Sequence, residues 1–407
     1  MRRNDRAIAT FTGLGHGTFH GFELSIPLLV PIWLAEFDAS PTTMGIAVGA
    51  GYALIGLVAP LAGVLADRYG SKRIVLLSIG GMGLSFAILS TVGSIVALAA
   101  VLILWGTAAG LYHPAGLSLI SRGAERRGTV LAYHGAGGNL GMVVFPLATV
   151  GLLLVVDWRL VSVVLAVPAA LCVFAGVALR FDAGETPMTE SSSSDGGGRD
   201  LTSAFRTVLA DSRGLFVGGF LVVFAIQLVY GIYYRGIFTF LPDVLGGLPV
   251  FEPLAVGRHE LEASQLAYTG LLLVGVFGQY TGGVLSDRTN PERALVGTFV
   301  VLTLATVLFV PASTSGIAPL LAVCAVLGFC IYAFAPISQS LIAEYADDRT
   351  HGLSFGYVYL GTFGVGALGA ALAGAALDLG GTLALFSSLA VLVALCTAIA
   401  VTLLENS

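Results

Sequence analysis

The amino-acid sequence predicts an all-α membrane protein with twelve transmembrane helices in two pseudo-symmetric bundles of six. Three observations support this fold class. Of the 407 residues, 56% are hydrophobic and only 11% are charged, whereas soluble domains carry about 25% charged residues. Apolar stretches of about 20 residues, the length that crosses a bilayer, recur along the chain. Two sequence landmarks occur once in each half.

The apolar stretches predict twelve spans separated by short polar segments. The first span contains His16, His20 and Glu23, which makes it too polar for the apolar segment of a signal peptide. The predicted spans are residues 7–35, 42–66, 72–92, 95–121, 128–152, 159–180, 213–241, 263–286, 293–312, 316–344, 351–377 and 381–403.

The segment between the sixth and seventh spans divides the chain. Residues 181–212 are rich in Ser, Gly and Asp, a composition that cannot bury a core and predicts a flexible linker. The predicted organisation is an N-terminal six-helix bundle (1–180), a cytoplasmic linker (181–212) and a C-terminal six-helix bundle (213–407).

The basic residues predict the orientation. If the N-terminus is cytoplasmic, 16 of the 19 Lys and Arg residues fall in inner segments; Arg159 and Arg258 fall in outer loops, and Arg235 lies inside a span. Cytoplasmic loops carry an excess of Lys and Arg. The sequence therefore predicts a multi-pass protein of the cytoplasmic (inner) membrane, with both termini cytoplasmic and the lipid bilayer as its surroundings.

Charge and motifs exclude several classes of function. The net charge of −5 gives no basic face for nucleic acid. The pattern GxxxxGK[ST] is absent, and no nucleophile motif is present. The four cysteines lie in apolar runs without metal or disulfide spacing. The sequence predicts no catalytic residue, no cofactor and no metal site.

An internal duplication relates the two halves. GVLADRYGSKR at 63–73 recurs as GVLSDRTNPER at 283–293, and YHPAGLSLIS at 112–121 aligns with FAPISQSLIA at 334–343. Each pair lies at matching places in the two halves. Such repeats are typical of secondary transporters, whose substrate site lies near mid-membrane between the repeats.

The loop at 63–73 resembles the signature of the major facilitator superfamily, G-x-L-A-D-R-x-G-R-K-R, with Ser71 as the one change. The degenerate second copy, the twelve spans and the central linker extend the resemblance over the whole chain. The resemblance implies the major facilitator fold, transport by alternating access and a monomer.

The resemblance also implies a gate. In the family, the Asp of this loop pairs with an Arg at the end of span 4 and faces the N-terminus of span 11, where an anion is stabilised. Asp67 and Arg122 occupy those places here. The gating residues implied by the resemblance are Asp67, Arg68, Gly70, Lys72, Arg73 and Arg122, with Asp287, Arg288 and Glu344 at matching places in the second half.

Two further motifs point to branches of the family. YHPAG on span 4 and RRGTVLAYHGAGGNLG leading into span 5 resemble the fosmidomycin-resistance branch, which implies proton-coupled drug export. The pattern of Gly135, Gly138, Asn139 and Gly141 also resembles nitrate porters. Spans 2 and 8 lack the mid-membrane arginine that such porters use to hold the anion.

Glu23 is the only carboxylate well inside a span. His16 and His20 lie seven and three residues earlier and share its helix face. Ionisable residues inside a bilayer usually mark function, and this group predicts proton coupling through Glu23, His20 and His16. The alternative is a polar cluster that fixes the first helix to a neighbour.

His113 and His134 lie about 10–13 Å from the cytoplasmic ends of spans 4 and 5, at about 1.5 Å per residue. His16 comes to a similar depth, so the three histidines predict a polar floor to a cavity. They relay protons or bind an anion, or each bonds locally. Asn139 lies mid-span among glycines and joins the candidates for substrate binding.

Arg235 is the only Lys or Arg that lies more than one helical turn from the end of its predicted span. An arginine there would bind a carboxylate or phosphonate, and neighbouring aromatic rings would stack on a ligand. The alternative is that Arg235 snorkels to the outer surface. The other candidates for substrate binding are Gln227 and Tyr233 on the same span, and Tyr332 and Gln339 on span 10.

These observations predict a secondary active transporter that moves a small organic solute by alternating access, and they favour proton-coupled export of a drug or organic anion. Proton-coupled uptake of an organic anion is the main alternative. A non-transporting sensor or a lipid flippase is the third, although the sequence shows no long soluble domain. The predicted partners are the small-molecule substrate and protons.

Overall fold

The computed structural model describes residues 1–184, 218–256, 259–345 and 351–405. Most of the predicted linker, residues 185–212, lies outside the described residues. The linker and its boundaries therefore remain a prediction.

The N-terminal half consists of helices joined by short turns. Three of these helices have a capping residue directly before their first turn: Ser40, Ser94 and Asp157. Each of these side chains accepts a hydrogen bond from a backbone N–H of the first turn, which satisfies a donor that has no partner within the helix. The helices are α1 (Arg3–Glu36), α2 (Pro41–Tyr69), α3 (Ser71–Leu89), α4 (Ile95–Gly110), α5 (Tyr112–Gly123), α6 (Arg127–Leu153) and α7 (Trp158–Ala178). Together α4 and α5 form the fourth span.

The C-terminal half repeats this arrangement with one irregular helix. Its elements are α8 (Gly218–Gly246), β1 (Leu254–Val256), β2 (His259–Leu261), α9 (Ala263–Arg288), α10 (Pro291–Ser315), α11 (Ile317–Tyr345), α12 (His351–Tyr359), a π-helical segment (Leu360–Val365) and α13 (Leu368–Glu405).

Within the described residues, eleven helices are long and apolar enough to cross a membrane. The last of them, Gly356–Glu405, is 50 residues long and contains a break. Gly381 has φ 64° and ψ −153° there, a backbone region that is essentially restricted to glycine. The break divides this segment into two parts, which agrees approximately with the twelve predicted spans.

The short antiparallel hairpin of β1 and β2 was not predicted. Its strands pair Leu254 with Leu261 and Val256 with His259. It lies between α8 and α9, in a segment that the sequence indicated only as an outer loop.

Glycines allow close packing within the N-terminal half. Gly13 and Gly17 of α1 lie against Gly137 and Gly141 of α6, and a Cβ added at Gly141 would lie 2.0 Å from the Gly17 carbonyl oxygen. No larger residue fits without moving a helix, so these small residues fix the distance between α1 and α6.

The two halves meet along α2 and the helix that contains the π-helical segment and α13. A Cβ at Gly45 would lie 2.2 Å from the Ala370 carbonyl oxygen, and one at Gly56 would lie 2.3 Å from the Gly364 nitrogen. We call the face with the α1–α2 turn the distal face and the face with the chain termini the proximal face. The contact runs from the distal end of α2 to its middle.

Candidate substrate and coupling site

A buried ion pair joins the two halves at the centre of the molecule. Arg235 of α8 donates from Nη2 to Oε1 of Glu23 on α1, at 2.5 Å. The side chains are 2% and 1% exposed. The alternative that Arg235 snorkels to the outer surface is therefore wrong. Because the partners belong to different halves, relative movement of the halves changes this pair directly.

An aromatic box encloses the guanidinium. Its carbon lies 3.9 Å from the ring centroid of Tyr52, 5.3 Å from that of Tyr234 and 5.2 Å from that of Phe363. These distances are within the range of cation–π attraction, which is stronger away from water. The Tyr52 hydroxyl also donates to the Glu23 carbonyl oxygen, at 3.1 Å.

Tyr52 is a site residue that the sequence analysis missed. It is the only aromatic residue in the predicted second span, residues 42–66, where it stands in a glycine-rich stretch. A lone tyrosine among small residues is the signal that would have pointed to it. Its partner across the interface was not visible from the sequence.

The second oxygen of Glu23 connects the ion pair to a histidine cluster. His20 donates from Nδ1 to Glu23 Oε2 at 2.7 Å. The His20 ring centroid lies 4.7 Å from that of His16 and 5.7 Å from that of His113. The His16 ring stacks on His134 with centroids 4.0 Å apart. The structure thus brings together the four histidines predicted from spans 1, 4 and 5.

An open cavity lies at the proximal end of α1 and α6. This cavity has a volume of about 700 Å³, and its lining includes Gly13 and Tyr133. Gly13 is one helical turn before His16, and Tyr133 adjoins His134. None of the four histidines lines this cavity in the described residues; the ring contacts from His134 through His16 and His20 lead to Glu23 and the ion pair.

The other predicted substrate residues lie at varying distances from this centre. Gln227 is buried and accepts a hydrogen bond from Thr362 in the π-helical segment at 3.0 Å. Tyr332 is in edge contact with Tyr234, with ring centroids 6.5 Å apart, and so forms a second layer around the aromatic box.

Three predicted substrate residues are not in the described contacts of this centre. The Tyr233 hydroxyl lies 2.9 Å from Thr306 of α10, inside the C-terminal half. Asn139 is half-buried on α6, and Gln339 is exposed on α11. Among the described contacts, none joins these three side chains to Glu23 or Arg235.

The loop signature forms the ion pair that the family resemblance implied. Arg122 donates to Asp67, and both side chains are largely exposed. Gly70 has φ 93° and connects α2 to α3, a conformation that favours glycine. Lys72 donates to the Leu179 carbonyl oxygen at 2.7 Å. Arg68 and Arg73 are exposed on the proximal face.

The matching residues of the second half are arranged differently. Asp287, Arg288 and Glu344 are exposed, and no ion pair joins them within the described residues. A buried contact lies nearby instead: the Tyr345 hydroxyl donates to Glu292 at 2.8 Å. The duplication of the sequence is therefore not a duplication of this contact.

Further polar contacts tie the halves together toward the distal face. Asp378 of α13 accepts hydrogen bonds from the Thr42 hydroxyl and from the Thr42 backbone N–H, the latter at 2.9 Å. A carboxylate at the start of α2 is stabilised by the helix dipole. Tyr268 of α9 donates to the Leu24 carbonyl oxygen at 3.2 Å. The described structure is thus joined at its centre and its distal side.

A two-fold repeat of apolar helices surrounds a buried polar centre, an arrangement typical of secondary transporters. The chain belongs to the Major Facilitator Superfamily, whose family model matches residues 13–256 and 248–407. This family match indicates a transporter and not an enzyme. Membership implies a small-molecule substrate. The comparison with curated proteins found no match.

Solved structures share this fold over the whole chain. A POT family transporter in complex with 5-aminolevulinic acid matches with a TM-score of 0.79 at 12% identity, covering 100% of this chain and 96% of that one. A bacterial homologue of the human lysosomal transporter Spinster, in an inward-facing and occupied conformation, matches with a TM-score of 0.75 at 14% identity, covering 100% of this chain and 98% of that one. A D-xylose–proton symporter matches with a TM-score of 0.73 at 15% identity, covering 98% of this chain and 97% of that one. These likenesses show the fold.

Proposed function

We propose that this chain is a proton-coupled secondary carrier for a small organic anion, and that the Glu23–Arg235 ion pair is its coupling element. The observation that carries the proposal is the position of this pair: fully buried, and shared between the two halves that move against each other in alternating access. Glu23 is the proton site, and Arg235 is the anion site.

The energetics of a buried pair favour joint loading. Removing one partner of such a pair leaves an uncompensated charge and costs about 3–5 kcal/mol. A proton on Glu23 alone would leave the charge of Arg235 unpaired, and an anion on Arg235 alone would leave the charge of Glu23 unpaired. Loading both restores neutrality, because the anion takes the place of the carboxylate. Proton and anion therefore move together, which an inward proton gradient drives as uptake.

The surroundings of Glu23 are consistent with this role. The groups that face it are His20 of α1, Tyr52 of α2, His113 of α5, Arg235 and Tyr234 of α8, Tyr268 of α9, Tyr332 of α11 and Tyr359 beside the π-helical segment. Arg235 is the only one with a permanent positive charge. His20 connects Glu23 to the histidine cluster, which gives Glu23 a route for protons.

Proton-coupled export is the second candidate. It is supported by the glycine-rich α6, whose sequence resembles the fosmidomycin-resistance branch and which packs tightly on α1 at Gly17 and Gly141. In this scheme, solute and proton occupy the centre in turn, and the proton gradient drives the solute out. The two candidates share the fold and the coupling residue and differ in the sign of proton movement.

Orientation and assembly belong to the same proposal. The arginine distribution supports cytoplasmic termini in the inner membrane, which would make the proximal face cytoplasmic. With its distal side joined, the described state would then be inward-facing. We propose that the monomer is the working unit, because each chain contains both halves of the site.

The test is substrate-induced proton movement in proteoliposomes. Purified protein is reconstituted with an internal pH dye and no initial pH gradient, and ionised carboxylates, phosphonates and amphipathic drugs are added outside. Joint loading predicts acidification inside with an anion. Exchange predicts alkalinisation, and a solute flux without a pH change would contradict proton coupling.

Glu23→Gln provides the decisive variant. It should abolish the substrate-induced pH change, because the glutamine amide neither takes up nor releases a net proton near neutral pH. The matched control is Glu292→Gln, which alters another buried carboxylate that lies outside the interface and bonds to Tyr345. Coupled transport that survives in Glu23→Gln would make Glu23 a structural residue.

A further inference from the structure

We propose that the histidine cluster binds one divalent transition-metal ion, with His16, His20 and His113 as ligands. Within the described residues, these three side chains each offer a ligand atom, and these atoms lie within 4.8 Å of one another. His16 and His20 belong to α1 and His113 to α5. The sequence did not predict this site, because its spacing is not local.

The hydrogen bonds leave the same nitrogen free on two of the ligands. His16 Nδ1 lies 2.9 Å from the His134 carbonyl oxygen, and His20 Nδ1 lies 2.7 Å from Glu23. A carbonyl and an ionised carboxylate only accept, so each Nδ1 donates there, and in the neutral imidazole the Nε2 lone pair is then the one that can bind a metal. Histidines that bind metals are held in this way, by a carboxylate or a carbonyl behind the ring.

The third ligand provides an independent observation. His113 is 7% exposed, and its Nε2 is buried without a hydrogen-bond partner. A buried polar nitrogen without a partner is costly, and native proteins leave few of them. A metal ion would satisfy it. The His113 ring lies edge-on to His16 with centroids 5.1 Å apart.

The geometry requires only a small adjustment. Zinc–nitrogen bonds of about 2.0–2.1 Å place tetrahedral ligands about 3.4 Å apart, so the nitrogens need to approach by roughly 1.4 Å at most. The His20 side chain is 20% exposed, so an ion can reach the cluster on this side.

The ligand set defines the class of metal. Neutral imidazoles suit zinc, copper, nickel and cobalt, whereas magnesium and calcium require oxygen ligands. The site lies wholly in the N-terminal half, so binding does not depend on movement between the halves. The proposal stands without the proposed transport function, and its test needs no transport assay.

The test is metal binding by the purified full-length chain in detergent, after removal of any histidine affinity tag. Zinc is added, free metal is removed on a desalting column, and bound zinc is measured by mass spectrometry. We expect one zinc per chain, retained in an excess of magnesium. Cobalt should give the intense visible absorption of a tetrahedral site. Wild-type protein that binds no zinc and gives no such cobalt spectrum would overturn the proposal.

Single variants locate the site. His16→Gln and His113→Gln should each weaken zinc binding by more than tenfold. His134→Gln, which alters a histidine of the same cluster that is not a ligand, should keep one zinc per chain. His259→Gln on the exposed hairpin is a second control. Equal binding by His16→Gln, His113→Gln and wild type, or loss of zinc only in His259→Gln, would also overturn it.

Discussion

The two halves of this transporter carry different parts of one site. The N-terminal half supplies the carboxylate Glu23 and four histidines, whereas the C-terminal half supplies the guanidinium of Arg235 and most of the tyrosines around it. The repeated loop signature lies away from these groups, whereas the other repeat contains His113, which aligns with Ala335 in the C-terminal half. The duplication has therefore kept the scaffold and allowed the interior to diverge, so that opposite charges meet only when the halves do.

Removing the charges one at a time gives the largest expected effect. Glu23→Gln should lower the free energy of unfolding by about 3–5 kcal/mol, because it leaves Arg235 buried and unpaired. Arg235→Met should cost less, since a carboxylate can take up a proton whereas a guanidinium cannot lose one. Unfolding in detergent, followed by helix content, measures both.

The double variant completes a double-mutant cycle with the two single variants. Glu23→Gln combined with Arg235→Met should recover more than half of the stability lost in Glu23→Gln alone, because no charge then remains unpaired. Losses that simply add would show that the two side chains do not interact. Glu292→Gln serves as the control for replacing a buried carboxylate elsewhere.

Tyr52 offers a smaller perturbation of the same contact. Tyr52→Phe keeps the ring under Arg235 and loses the hydrogen bond to Glu23, which should cost about 1 kcal/mol. Tyr52→Leu also loses the cation–π contact and should cost up to about 2 kcal/mol more. Equal stability of the two variants would contradict a role for the ring.

Substitutions in the two copies of the loop signature, at 63–73 and 283–293, should have still smaller effects, here on the rate of transport. Asp67→Asn breaks the ion pair with Arg122, and exposed pairs are worth about 0.2–1 kcal/mol, so transport should change by at most about fivefold. Asp287→Asn breaks no ion pair within the described residues and should transport like wild type. Initial rates in proteoliposomes compare them, and a larger effect of Asp287→Asn would reverse the assignment of the gate.

Much of the fold follows from the sequence, because apolar length and loop signatures are local properties. The break at Gly381 was foreseen as the boundary between the last two spans. The hairpin at 254–261 and the π-helical segment at 360–365 were not, since neither has a distinctive hydrophobic pattern. The linker prediction falls largely outside the described residues.

The site was only partly predictable for a different reason. Glu23, His20 and His16 share one helix face, so their proximity follows from helical spacing. The pairing of Glu23 with Arg235 joins residues 212 positions apart in different halves, and spacing says nothing about it. Tyr233 was predicted beside Arg235 on the same helix, but its hydroxyl bonds to Thr306 in the core, because adjacent helical residues point in different directions.

The central claim is that the buried Glu23–Arg235 pair joins the two halves in the described state, so that its loss shifts them toward the opposite state. Its most direct test is the distance between spin labels on the exposed distal residues Asp38 and Glu262, each changed to Cys. The native cysteines are buried and label slowly. Labels at Gly128 and Thr289 report on the proximal face.

Pulsed electron paramagnetic resonance should give a short distance between the two distal spin labels when Glu23 and Arg235 are unchanged. In Glu23→Gln, the account predicts a shift of the population to longer distal distances and shorter proximal ones, while Glu292→Gln leaves both unchanged. A Glu23→Gln protein that is folded and keeps the native distal distance would contradict the account.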